Sequence, residues 1–346
     1  MSKIASVASD NQPMELPPSD VGGAPRKKKS RGRTALLTVL LLLVACSIYL
    51  WSSYLFTRKP LTNLPIAAVM AEVIKPRYLF SIHDINAPLG VAVSPQGDRI
   101  YVTESGGQRL IRAFDRDGKE LAQFTPPNKT PLDAPVSAAL DSEGRLFVAD
   151  AFRHAITIFD AGGNFKKSVT FSGDQDWIPI GIHIDGKTLL VAGYDTANHG
   201  VRGLNLDGQT LFRFGRDGEG DEGGIFASAG KAVTDSRGRI YVTDSMKARV
   251  AVFDQDRKFL YNIAGFAMAT GLGIDQDDRL YVVDTTDQNV KVYDVSSTDK
   301  PKHLFDFGRH GIGDGEFNFP NDIAIDDLGR LYITDRASNR VQVWTY

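Results

Sequence analysis

Carboxylates are the most regular chemistry in this chain. Five short segments that read as strands end in an acid: Glu104, Asp150, Asp244, Asp284 and Asp335. Alone, any of them could do acid–base work. One acid at the same place in each copy of a repeated segment reads instead as a cap that accepts backbone N–H bonds in the next turn. Arg109, Arg249 and Arg340, in the strands that follow, are expected to pair with such acids. Asp217, Glu219, Asp221 and Glu222 cluster among glycines and suggest calcium. The EF-hand spacing fails, with Glu222 at the sixth position and Ser228 at the twelfth, so a solvated loop is the plainer reading. His83, His154, His183, His199, His303 and His310 show no HExxH or other close metal-ligand spacing, and the chain has no GxSxG elbow and no Gly-rich phosphate loop. Its one cysteine, Cys46, rules out an intramolecular disulfide, a cysteine zinc cluster and a dithiol redox centre. Asn128-Lys129-Thr130 is a formal glycosylation sequon, meaningful only in a eukaryotic secretory pathway.

These residues sit in a repeat. Residues 90–115, 137–160, 181–207, 231–254, 271–294 and 322–344 each run through an alternating apolar strand, a Gly or Asp turn, a strand like YVTD, a polar turn and a strand like RVAVFD. A further strand follows most copies, as in GKELAQF and KHLFDFG. Four short strands per unit is the pattern of a propeller blade, which cannot bury both faces without neighbours. The sixth copy stops one strand short at Trp344-Thr345-Tyr346, while Arg77–Ile82 resembles the other fourth strands. Pairing the two ends closes a ring and hides its edges. The expected fold is all-β, a six-bladed β-propeller over 77–346.

Innermost strands of such a ring line its central channel, and two aligned positions differ between copies. The first holds Gly90, Ser137, Gly181, Lys231, Gly271 and Asp322; two residues on come Ala92, Ala139, His183, Val233, Gly273 and Ala324. His183, Lys231 and Asp322 break a small or aliphatic pattern, and a site is expected where one copy breaks the rule. They are the candidate polar contacts at one channel end. A blade-to-blade salt bridge and a satisfied core histidine are the structural alternatives.

The unit resembles the NHL repeat over all of 77–346. The most specific stretch is FGRHGIGDGEFNFP (307–320) leading into NDIAIDDLGRLYITDRASNRVQVW, with a looser copy at 214–226; the third copy departs most, with GYD in place of TDS or VDT. The resemblance implies a sensor or binding domain for proteins. Some six-bladed relatives are enzymes that hold metals in the central channel, so calcium or zinc there, serving a lyase or lactonase activity, is the alternative to a cofactor-free binding scaffold.

The chain has 346 residues and a formal net charge of −2, unevenly spread. Residues 1–60 hold nine Lys/Arg against three acids, which leaves 31 basic and 39 acidic residues in 61–346, a net of −8. An acidic domain does not grip nucleic-acid phosphates, so no nucleic-acid partner is expected. Thr34–Phe56 is a run of 23 residues without a charge, long enough to cross a hydrocarbon core as a helix. Six basic residues (Arg26, Lys27, Lys28, Lys29, Arg31, Arg33) precede it and only Arg58 and Lys59 follow closely, which keeps the N-terminus in the cytoplasm. The expected organisation is a disordered basic tail (1–33), a transmembrane signal anchor (34–56), a linker (57–76) and a propeller (77–346) in a bacterial periplasm or outside the cell. Ordinary signal cleavage and a lipoprotein acylated at Cys46, after Leu43-Val44-Ala45, are the competing readings. The expected partner is an envelope or extracellular protein or peptide.

Overall fold

Alternation of apolar and polar positions over five or six residues, closed by Gly and Asp turns, favours short antiparallel strands. A computed structural model of the chain arranges them in six four-stranded sheets. It describes residues 75–126, 132–171, 176–218, 220, 223–297 and 300–346. The tail 1–33, the apolar run 34–56 with Cys46, the linker as far as 74, the sequon at 128–130, and Glu219, Asp221 and Glu222 lie outside the described residues. Among the described residues no helix is long and apolar enough to cross a membrane.

From the innermost strand outward, blade 1 is Pro88–Val93, Ile100–Glu104, Ile111–Phe114 and Glu120–Phe124. Blade 2 is Pro135–Leu140, Leu146–Asp150, Ala155–Phe159 and Phe165–Thr170. Blade 3 is Ile178–Asp185, Thr188–Tyr194, His199–Asn205 and Thr210–Phe214, and blade 4 is Ala229–Thr234, Ile240–Asp244, Arg249–Phe253 and Phe259–Ala264. Blade 5 is Ala269–Ile274, Arg279–Asp284, Asn289–Asp294 and Lys302–Phe307. Blade 6 is Pro320–Ile325, Leu331–Asp335 and Arg340–Thr345, and its outer strand is Arg77–Ile82. The ends of the domain therefore pair as the sequence predicts, antiparallel, with Tyr78 opposite Trp344 and Ile82 opposite Val341. Each innermost strand touches those of both neighbouring blades, so the ring is closed.

The second strands of blades 1, 2, 4 and 6 are buried at every position, because they lie inside their own sheet and between two others. Each junction between blades carries its own hydrophobic cluster. The one that seals the ring joins Ile82, Tyr332 and Val341 of blade 6 to Val91, Ile100 and Val102 of blade 1. Burying a side chain of this size contributes about 1.5–3 kcal/mol. Closure thus rests on apolar area as well as on strand pairing.

The antiparallel order sorts the loops onto two faces. Innermost strands begin, and second strands end, on what is called here the near face. The turns joining first to second strands lie on the far face.

Candidate functional site

The repeated acids occupy near-face turns, and their carboxylates are used by the backbone. Asp150 accepts N–H bonds from Asp133 and Ala134 at 3.0 and 2.8 Å, Asp244 from Ala227 and Ser228, Asp284 from Ala267 and Met268, Asp335 from Asn318, and Glu104 from Asn86. These donors precede the innermost strand of the same blade, some 16 to 18 residues upstream. Each acid therefore ties its blade's lead-in to its second strand. The expected cap on the following turn is present as well at Asp284, which also accepts the Asp287 N–H at 3.2 Å, and at the other four acids these upstream bonds stand in its place. Blade 3 is the exception: Asp195 caps the next turn through Ala197 and Asn198, and Arg202, 2% exposed, lies 3.7 Å from it, over the Trp177 ring. The arginine pairings hold for Arg249 with Asp244 (3.2 Å) and Arg340 with Asp335 (2.8 Å). Arg109 does not pair with Glu104. Its guanidinium donates to the Asp133 carbonyl, and Arg112 takes its place beside Glu104 at 3.3 Å.

A second set of acids serves the far face. Asp141, Asp235, Asp275 and Asp326 each accept two backbone N–H bonds within their turn. Asp235, Asp275 and Asp326 also take the hydroxyls of Tyr241, Tyr281 and Tyr332. Burial beside these carboxylates pushes the tyrosine pKa values up, so the hydroxyls stay protonated donors. The signal was present as a recurring Asp, then Arg four residues on and Tyr six on, and the sequence reading missed it. Asp217, read as a possible calcium ligand, accepts the His199 N–H at 2.7 Å.

Acids spent this way leave the channel. The first ring alternates. Glycines occupy it in blades 1, 3 and 5, where a Cβ on Gly181 would stand 2.1 Å from the Gly230 carbonyl oxygen and one on Gly271 would stand 2.7 Å from that of Asn321. Blades 2, 4 and 6 supply Ser137, Lys231 and Asp322, whose side chains fill the space so created. Ser137 accepts the Ile182 N–H across the blade junction, and Asp322 accepts that of Val91.

Lys231 and Asp322 meet across blade 5, Nζ lying 2.7 and 2.8 Å from the two carboxylate oxygens, with the residues 7% and 3% exposed. The pair is a septum. On the near side is a funnel of about 120 Å³, walled by Ser137, Ser228, Ser245, Thr270 and Asn321 together with the apolar Val136 and Ile180. On the far side is a chamber of about 190 Å³ whose walls are almost all aliphatic, among them Val93, Leu140, Ile184, Ile274 and Ile325. Lys231 lines both. Burial pushes the Asp322 carboxyl above its ordinary range, and the ammonium of Lys231 with the N–H groups of Ile323 and Val91 pulls it back.

The structure thus brings two of the three candidate residues into one ion pair and places His183 beside it. His183 lines the far chamber, with Nε2 at 3.4 Å from the Thr234 hydroxyl. Burial, reinforced by the Lys231 charge, lowers its pKa to about 4, so the ring is neutral at pH 7. A neutral imidazole has a free lone pair that a metal could use. The donor set for one is not assembled, since among the described residues no three His, Cys, Asp or Glu come together and the Asp322 carboxylate is taken by Lys231.

Known proteins share the architecture. The NHL repeat family model matches residues 317–344, within blade 6 and its lead-in. A streptogramin B lyase structure superposes with a TM-score of 0.55 at 12% identity, covering 78% of this chain and 98% of that one. A protein of unknown function from Bacteroides caccae gives 0.55 at 14%, covering 70% and 83%. Hydrazine synthase from Kuenenia stuttgartiensis gives 0.51 at 15%, covering 74% and 82%. At these identities the likeness is one of fold. The chain is a six-bladed β-propeller that carries an NHL repeat.

Proposed function

We propose that this protein is a membrane-tethered, extracytoplasmic binding scaffold that engages a protein or peptide through the near face of its propeller. The observation that carries the reading is where exposed apolar side chains sit. Phe152 and Met246, 75% and 78% exposed, occupy equivalent near-face turns of blades 2 and 4. Ile312 and Phe319 lie in the near-face connection that leads into blade 6. Among the described residues Leu328 is the one such side chain on the far-face turns, and Leu79, Leu121, Leu211 and Leu260 are spread singly over the outer strands. Large side chains left in water on one loop-bearing face mark an interaction surface. Phe319 also holds a left-handed φ of 61°, a conformation that costs a non-glycine residue about 1–2 kcal/mol. Tethering rests on the uncharged run 34–56 and the basic residues before it.

The test uses the full-length chain in cells, with a photo-crosslinking residue at 152, 246 or 328. Discrete adducts from the first two positions and none from the third are expected. Equal labelling from both faces, or none at all, would refute near-face engagement. Protease added outside the membrane should degrade the propeller, and protection until the membrane is opened from the cytoplasmic side would refute the tethering.

A further inference from the structure

The near face contains a cleft of about 350 Å³ beside the channel mouth, spanning turns of blades 6, 1, 2 and 3. Leu89, Val136 and Ile180, from three innermost strands, give it an apolar lining. Phe152 and Tyr194 add aromatic surface, and Arg109 and Arg336 add two cations. Arg336 is exposed, and its guanidinium has no partner among the described residues. Arg109 is exposed and spends one N–H on the Asp133 carbonyl at 2.9 Å. The one carboxylate in the lining, that of Asp133, is matched by Arg153 at 3.0 Å. The cleft is therefore positive in a domain that is acidic overall.

Resting on the near-face reading, we propose that this cleft binds an acidic peptide segment in which Asp or Glu alternates with Leu or Phe. Guanidinium groups hold carboxylates through paired N–H bonds, which gives both energy and orientation. The apolar lining and Phe152 take the hydrophobic side chain between them. Arginine, tyrosine and phenylalanine are the residues enriched where partners dock. The volume suits a few side chains and lies within the range of small-ligand clefts. The chain's own basic segment, with six Lys/Arg between 26 and 33, carries the wrong charge to be the occupant.

The experiment is fluorescence anisotropy on full-length protein in detergent. The probes are a short fluorescein-labelled peptide alternating Glu with Leu and Phe, and its Lys and Gln counterparts. Saturable binding of the Glu peptide alone is expected, weakening as salt rises from about 50 to about 500 mM. The double variant Arg109→Asn/Arg336→Gln should lose about tenfold or more in affinity, the scale of one charge-assisted contact. Asparagine is chosen at 109 because that residue has a φ of 53°. Phe152→Ser should weaken binding independently, and Leu328→Ser should not. Both cleft variants should unfold at the wild-type urea concentration, since the altered side chains are exposed. Equal affinity for the three peptides, binding unaffected by the arginine changes, or no binding at all would overturn the proposal. So would a concentration-dependent self-association abolished by the same changes, which would make a second copy the occupant. Crosslinks at 152 and 246 with no Glu-peptide binding would leave the scaffold reading standing and remove this one.

Discussion

Replacing Lys231 by methionine tests whether the channel is stoppered. Methionine keeps most of the side chain's length and removes the ammonium, leaving Asp322 with N–H bonds from Ile323 at 2.9 Å and Val91 at 3.3 Å. Breaking one partner out of a buried ion pair typically costs about 3–5 kcal/mol. Asp322 has an escape, because it can take up a proton. At pH 7 that costs about 4 kcal/mol for a carboxyl of ordinary pKa near 3.9, so the penalty is expected at about 3–4 kcal/mol. The sign with pH follows. In the variant the folded-state pKa of Asp322 rises further above its unfolded value. The folded state is then favoured at low pH and loses stability as pH climbs from the unfolded pKa through the folded one. The difference between wild type and variant should therefore shrink by up to about 1.4 kcal/mol per pH unit as the pH falls from the variant's folded-state pKa to that of the wild type, which is itself raised. Lys231→Met/Asp322→Leu, which removes both charges, should recover most of the loss or exceed the wild type. Urea unfolding read through Trp177 and Trp344 fluorescence supplies all of these numbers. A single-variant cost below about 1 kcal/mol that does not change between pH 7 and pH 5 would mean that water bathes the pair, and the septum would not exist.

Three further outcomes follow from the same geometry. Gly181→Ala should destabilise by about 1–3 kcal/mol or more, since the new Cβ would press on the Gly230 carbonyl and neither backbone can easily give way; a neutral result would refute the close approach of blades 3 and 4. His183, neutral when folded with a pKa lowered to about 4, should make the wild type lose stability as pH falls from the unfolded value near 6.5 through 4, by at most about 3 kcal/mol and less where channel water reaches the ring. His183→Gln should lack that dependence in the same unfolding assay, and an imidazole titrating near 6.5 by NMR would contradict the burial. Removing Arg77–Ile82 should abolish the single cooperative transition, because it strips the edge of Arg340–Thr345 and opens the cluster around Ile82, Val91 and Tyr332; calorimetry showing an unchanged sharp transition would show that the ring does not need its closing strand.

Much of this architecture can be read from the chain itself, and the second strands show why. Segments such as IYVTD and LYITD recur with the same apolar positions and the same terminal acid, so one rule fixes six sheets and their turns. Ring closure is also legible, because Arg77–Ile82 reads as an outer-type strand with no copy of its own, and it pairs with Arg340–Thr345. The acids were identifiable as scaffold by their repetition, while their bonding partners were not. Asp150 reaches Asp133 and Ala134 because the chain folds back across the innermost strand, a return that turn propensities do not encode. Arg202 was missed because the third copy departs from the pattern, and its neighbours Trp177 and Asp195 come together only once blade 3 is folded.

The first ring draws the boundary most sharply. The sequence alone picks out Lys231 and Asp322 as departures from Gly and Ser, and no sequence rule pairs residues 91 positions apart. Their meeting depends on blades 4 and 6 facing each other over a glycine of blade 5, a distance set by how six sheets close around one axis. The same holds for the near-face cleft, whose lining comes from four blades. Periodicity determines what repeats within a blade, since each blade makes the same local bonds. What lies between blades is decided by tertiary packing, because those contacts join positions that no local interaction couples.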